Sequence, residues 1–170
     1  LRLATCNLRC TWCDTKYTWD WDNFDYAEEV QTVDVRSVEK IILAYGCKHL
    51  VITGGEPTLQ AQQLVPLLVS LKGQGFFLEI ETNGTTVPNK VFVSLVDQWN
   101  VSPKLANSGN LERRREHVSA YKFFSSLPNA YFKYVVDSPR DLDEITALIE
   151  RYSINRGRTF LMPQATDLAH

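Results

Sequence analysis

Short runs rich in β-branched and aromatic residues alternate along the chain with amphipathic stretches of about ten to fifteen residues. That rhythm predicts a parallel sheet with crossover helices. Strands are expected at residues 1–5, 49–53, 76–81, 99–101, 130–136 and 159–162, each short and mostly apolar, as a strand covered on both faces should be. Asp34 is placed to cap a helix running to Tyr45, with Val35, Val38, Ile41, Ile42 and Tyr45 on one stripe and Gly46 as its end. A second helix is expected over 60–72, turning Leu64, Leu67, Leu68 and Leu71 inward and stopping at Gly73. A third, over 141–152, begins from the Ser138-Pro139 turn, and a weaker one covers 111–126. Residues 15–32 carry neither period and read as a long loop, a length that usually serves function. Six strands are too few for an eightfold barrel, so the expected fold is α/β, a partial (β/α) barrel of about six parallel strands in a single domain over 1–170. A doubly wound open sheet competes with it. In both, ligands sit at the C-terminal ends of the strands.

Composition narrows the classes of function. The 170 residues are 44% hydrophobic, enough for a sizeable core. With 18 Lys plus Arg against 20 Asp plus Glu the net charge is -2, without the basic surplus that general binding to a phosphate backbone requires. Arg113, Arg114 and Arg115 are bracketed by Glu112 and Glu116 and read as a solvated helix face, so no direct nucleic-acid contact is expected. No apolar stretch approaches the roughly 20 residues that span a bilayer. Three of the four cysteines fall within eight positions, which points to a metal site in a reducing compartment, and Cys47 reads as a buried small hydrophobe.

The chemistry-bearing residues do fall just after the strands. Cys6, Cys10 and Cys13 have the spacing C-x3-C-x2-C. Structural zinc normally takes four protein ligands, whereas three thiolates on one loop suit a [4Fe-4S] cube whose fourth iron stays open to an external ligand. A thioredoxin-like pair at Cys10 and Cys13, or a zinc knuckle completed by a distant histidine, is the simpler alternative. His49, His117 and His170 are scattered and suggest no shared metal. Thr53-Gly54-Gly55-Glu56-Pro57 follows the second strand, where the glycines expose backbone and Glu56 can accept from an ammonium group. Glu81-Thr82-Asn83-Gly84 follows the third strand and Ser102-Pro103-Lys104 the fourth.

The three-cysteine loop together with Gly-Gly-Glu-Pro resembles the radical S-adenosylmethionine (SAM) superfamily. The fuller set, Cys10-Thr11-Trp12-Cys13-Asp14-Thr15 with the segments at 53–57, 81–85 and 101–104, closely resembles the 7-carboxy-7-deazaguanine synthases along nearly the whole chain. The resemblance implies a lyase that splits SAM reductively to methionine and a 5′-deoxyadenosyl radical. That radical takes hydrogen from 6-carboxy-5,6,7,8-tetrahydropterin, whose ring contracts to 7-carboxy-7-deazaguanine with loss of ammonia, a step of queuosine and 7-deazapurine biosynthesis. It implies that Cys6, Cys10 and Cys13 hold the cluster and that the Thr15 hydroxyl joins a Mg2+ on the substrate carboxylate, a hard donor for a hard ion. SAM-contacting positions would be Trp12, Cys13, Asp14, Gly55, Glu56, Ser102, Pro103, Lys104, Met162, Pro163, Gln164 and Ala165. Substrate contacts would come from Arg2 and Thr53, with Glu81, Asn83 and Lys133 either joining them or forming a hydrogen-bonded interior. A flavodoxin-like or other low-potential reductant, a homodimer and a cytoplasmic location are implied as well.

The family's Gln-Gly-Glu-Gly segment before the first strand and its stretch after the last have no counterpart here. If the protein consisted of these 170 residues alone, cluster and cofactor binding would be expected to survive while pterin binding and turnover would be impaired. A glycyl-radical activase shares the cysteine spacing, and a non-catalytic iron-sulfur or zinc module would share it too. Trp19, Trp21 and Tyr26 in the long loop would shelter the site or form a dimer contact.

Overall fold

The computed structural model describes residues 1–165. Six strands, β1 (Arg2–Leu3), β2 (His49–Gly54), β3 (Phe77–Thr82), β4 (Gln98–Val101), β5 (Ala130–Val136) and β6 (Thr159–Pro163), follow one another in chain order across the sheet. A doubly wound sheet reverses its order at a switch point, so this unbroken order selects the open, partial (β/α) barrel. The helices are α1 (Tyr26–Glu29), α2 (Val35–Ala44), α3 (Ala61–Gly73), α4 (Lys90–Leu95), α5 (Glu112–Arg115), α6 (Val118–Ser126) and α7 (Pro139–Tyr152). None of the described helices is long and apolar enough to cross a membrane.

The chain divides into two compact units. The first holds Leu1–Asn7, Asp14–Glu81 and Pro88–Trp99. Here β1, β2 and β3 pair in parallel, with Arg2 beside Thr53, Leu50 beside Leu78 and Ile52 beside Ile80. Strand alternation buries Leu50, Ile52, Leu78 and Ile80, and α3 lays Leu64, Leu67, Leu68 and Leu71 into the same core, as its leucine spacing requires. Phe92 of α4 meets Trp99 with ring centroids 5.9 Å apart. The second unit holds Leu8–Cys13, Thr82–Val87 and the chain from Asn100. Its β5 and β6 pair in parallel, Val135 beside Met162. Ala130, Phe132 and Tyr134 are buried with Ala120, Tyr121 and Phe124 of α6 and Ile145, Leu148 and Tyr152 of α7. The Tyr121 and Tyr152 rings stack with centroids 4.3 Å apart.

Several local expectations change. The first strand is only two residues long because Thr5 takes a positive φ of 78° and its N–H donates to the Thr18 carbonyl. The loop at 15–32 contains a 3-10 turn, Lys16–Thr18, and the short α1, capped by the Asp25 carboxylate accepting from the Ala27 N–H at 2.8 Å. On α2 only Ile42 is buried; Ile41 is exposed, and Tyr45, 81% exposed, is the cap residue where the helix ends rather than part of its packed stripe. Helix α3 includes Gly73, and the left-handed turn falls at Gly75 instead. Cys47 is exposed, in the connection between α2 and β2. The stretch 111–126 breaks into α5 and α6, since Glu116 and His117 are extended and the Glu116 carboxylate accepts from Arg151 and Tyr152 of α7. Arg115 is 7% exposed and paired with Glu144, so it leaves the solvated face that Arg113 and Arg114 form. Helix α4 is not among the expected elements, although Asn89 caps it, accepting from the Phe92 N–H at 2.9 Å. Six residues are too few for periodicity to register.

Candidate functional site

In the first unit the β1–β2 junction is built from backbone. The Gly55 N–H donates to the Leu3 carbonyl and the Glu56 N–H to the Thr5 carbonyl, both at 2.8 Å. A Cβ on Gly55 would stand 2.1 Å from the Thr5 oxygen and 2.9 Å from the Cys6 nitrogen, so this glycine lets the second strand end lie against the start of the cysteine loop. Gly55→Ala must part that junction. The two hydrogen bonds are together worth about 2 kcal/mol, and urea unfolding should show that loss, whereas Gly73→Ala, with open space around it, should hold or gain stability.

Glu56 is fully buried, and its Oε1 accepts from the Thr58 N–H at 3.0 Å and the Thr58 hydroxyl at 2.6 Å. The carboxylate that the sequence offered to an ammonium group thus also caps the turn Pro57–Gln60. Thr53 donates to Glu81 Oε2 at 2.9 Å, bringing two of the expected substrate positions together. Arg2 is exposed beside Thr53 in the register. Asp14 is exposed and Thr15 half-buried, the Thr15 carbonyl accepting from the Thr18 N–H and hydroxyl.

In the second unit Cys10 is buried and Cys13 half-buried, their peptides joined by a turn from the Cys13 N–H to the Cys10 carbonyl at 3.2 Å. Burial pushes the Cys10 thiol up, while the positive charge of Lys104 and an N–H of Asn110, 3.3 Å from its sulfur, pull it back down. Trp12 donates its indole N–H to the Asn107 carbonyl at 3.1 Å, and Lys104 Nζ lies 5.5 Å from the Trp12 ring centroid. Lys104 also donates to the Ser102 hydroxyl at 2.9 Å. Trp12, Ser102 and Lys104, predicted from separate segments, are therefore one constellation. Asn83 is buried with Oδ1 accepting from the Thr85 N–H and hydroxyl. Lys133 sits on β5 beside Phe160, and Met162 and Pro163 end β6, where the Gln164 N–H donates to the Val136 carbonyl at 2.8 Å and Ala165 is exposed.

Sequence reasoning missed Asn107, Asn110, Arg115 and Glu144. The Arg115 guanidinium donates to the Lys104 carbonyl at 3.3 Å and pairs with Glu144, whose other oxygen accepts from the Ala106 N–H at 2.9 Å. The two therefore hold the segment that carries Lys104 from both sides. Only the mixed run of arginines hinted at it. His49 bonds Glu79 at 2.8 Å and His117 the Arg114 carbonyl at 3.1 Å; His170 lies outside the described residues.

The model of the radical SAM superfamily matches residues 3–117. A 7-carboxy-7-deazaguanine synthase from Pyrobaculum aerophilum is 38% identical over 166 residues, covering 97% of this chain and 69% of that protein. This chain belongs to the 7-carboxy-7-deazaguanine synthase family of radical SAM proteins. A member from Hyperthermus butylicus is 29% identical and covers 96% of the chain and 67% of its own length. The crystal structure of QueE from Escherichia coli superposes with a TM-score of 0.64 at 26% identity, over 98% of this chain and 74% of that one. The chain spans about two thirds of the length of the two synthases.

Radical SAM proteins carry a [4Fe-4S] cluster and SAM, and the donor set here fits that cluster. Among the described residues no three His, Cys, Asp or Glu side chains gather as a mononuclear metal cage. A cube asks for something different, since each thiolate binds a separate iron and the three need not converge on a point. The buried Cys10 sulfur receives an N–H, as a ligating thiolate should.

Proposed function

We propose that this chain converts 6-carboxy-5,6,7,8-tetrahydropterin to 7-carboxy-7-deazaguanine with loss of ammonia, working as a single catalytic domain. The observation that carries the reading is the likeness to a synthase of that name along nearly all of the chain; the segments read as the site lie at strand ends. When bound, the cluster and SAM supply the one-electron chemistry that begins hydrogen abstraction. The chain's own residues bind, orient and shield. Cys6, Cys10 and Cys13 are read as the three thiolate ligands. In the second unit the lysine ammonium near the Trp12 ring suits a carboxylate, and Gly55 and Glu56 are read as SAM contacts on the resemblance alone. Trp12, Asp14, Ser102, Pro103 and the end of β6 complete that reading for SAM.

Thr53 and Glu81, already hydrogen-bonded, suit the polar edge of a pterin, and Arg2, Asn83 and Lys133 are read with them. The Thr15 hydroxyl is read as a Mg2+ ligand shared with the substrate carboxylate. A low-potential reductant of the flavodoxin kind, assembly as a homodimer and a cytoplasmic setting belong to the same reading.

The deciding experiment is anaerobic incubation of the reconstituted protein with the pterin, SAM, Mg2+ and dithionite, followed by product mass. We expect 7-carboxy-7-deazaguanine; an activase or a non-catalytic module would leave the pterin unchanged. Thr15→Ala is expected to lower Mg2+-dependent turnover by about tenfold or more, the range seen when a metal site loses one supporting group, while SAM binding stays intact. Undiminished Mg2+-dependent turnover in that variant removes the metal assignment.

A further inference from the structure

We infer that Asn110 is a positioning residue for the cluster: its side-chain amide donates to the Cys10 sulfur and raises the reduction potential of the cluster that Cys10 ligates. The inference rests on the proposed role of Cys10.

The orientation of the amide is set by the network around it. The Arg9 backbone N–H, which can only donate, lies 2.9 Å from Asn110 Oδ1. Oδ1 must therefore face Arg9, and that turns Nδ2 toward Cys10, 3.3 Å from the sulfur. Nδ2 has two hydrogens, and the second finds the Ser108 hydroxyl at 3.2 Å. One amide thus bridges two successive positions of the cysteine loop.

The segment that carries Asn110 is docked on that loop independently of it. The Thr11 N–H donates to the Ser108 carbonyl at 3.0 Å. Gly109 is left-handed, and a Cβ there would fall 2.8 Å from Thr11 Cγ2, so only glycine lets the segment come this close. Asn110 is consequently held at the sulfur by the Arg9 N–H, which its Oδ1 accepts, and by the docking of Ser108 and Gly109 on Thr11.

Hydrogen bonds to cluster sulfurs are one of the levers that set cluster potential. The reduced cluster carries one more negative charge, so an N–H aimed at a ligating sulfur stabilises it more than the oxidised form. Asn110 would thereby ease electron entry.

The test uses the full chain, reconstituted anaerobically, as wild type, Asn110→Leu and Asn110→Asp. Iron and sulfide content is measured first, then the cluster potential by redox titration followed by electron paramagnetic resonance at about pH 8, where an ordinary aspartate is ionised. At equal iron content we expect Asn110→Leu to disfavour reduction about tenfold, a fall of about 59 mV for one electron. Asn110→Asp should fall at least as far. It keeps an oxygen for the Arg9 N–H and so preserves the docking should leucine disturb the loop, yet it replaces the donor with a negative charge. Loaded variants with the wild-type potential overturn the role of Asn110 alone. A wild-type chain that assembles no cluster overturns the role of Cys10, and this inference with it.

Discussion

Cys10→Ser is expected to leave the reconstituted protein nearly colourless, with bound iron reduced by well over tenfold and no detectable cleavage of SAM. Loss of a supporting group around a metal costs about 10–100-fold in affinity, and loss of a ligand should cost more. A serine hydroxyl stays protonated near neutral pH, and its hard oxygen is a poor match for iron in a sulfide cube. Position 10 is the most telling of the three because its sulfur is buried and already receives the Asn110 N–H, so water cannot readily replace it. The control is Cys47→Ser. Cys47 is exposed, and its sulfur is hydrogen-bonded to the backbone of His49, so iron content and cleavage should match wild type. Full iron in Cys10→Ser, or equal loss in Cys47→Ser, would contradict the assignment of the cysteine loop.

The second large effect concerns the buried pair Arg115–Glu144, with side chains 8% and 23% exposed. Removing one partner of such a pair leaves a desolvated charge, which costs about 3 kcal/mol after allowing for the partial exposure of Glu144. Arg115 Nε already lacks a hydrogen-bond partner among the described residues, so little remains to compensate the guanidinium. Glu144→Ala should therefore lower the melting temperature by roughly 6–12 °C for a chain of this size. It should also weaken SAM binding, because the Lys104 carbonyl and the Ala106 N–H lose their shared anchor. Arg115→Met combined with Glu144→Leu should regain much of the stability, since apolar replacement of a buried ion pair is often neutral or better. It should not regain SAM affinity. Differential scanning calorimetry and an equilibrium binding isotherm separate the two effects. A loss below about 1 kcal/mol in Glu144→Ala would mean that the pair is merely a surface contact.

Much of the fold was legible because its signals are local. The leucines of α3 recur at helical spacing and all four point inward; the Ser138-Pro139 start of α7 holds, with Asp141 accepting from the Asp137 and Ser138 N–H groups at 2.8 Å each. Burial opposes ionisation of Asp141, yet these bonds hold its carboxyl below the usual range. Expectations failed where a distant partner outweighed a local preference. The helix drawn over 111–126 has adequate propensity throughout, but Glu116 is claimed by Arg151 and Tyr152, 35 and 36 positions away, and the backbone extends to present it. Residue type alone suggests burial for Cys47, yet it lies in the exposed connection between α2 and β2.

The candidate site divides in the same way. Cysteine spacing, a glycine pair after one strand and polar groups after the others are properties of contiguous chain, so chain order alone was enough to place them at strand ends and to suggest their chemistry. Asn110 acts on Cys10 across 100 positions, Asn107 on Trp12 across 95 and Glu144 on Arg115 across 29. No periodicity or spacing encodes those meetings, because a hydrogen bond depends on distance and direction in space, and only folding supplies these. The amino-acid order thus determined which atoms are available to ligate and where along the sheet they emerge. Tertiary structure decided which neighbours orient them, and hence the electrostatic setting in which the Cys10 sulfur and Lys104 sit.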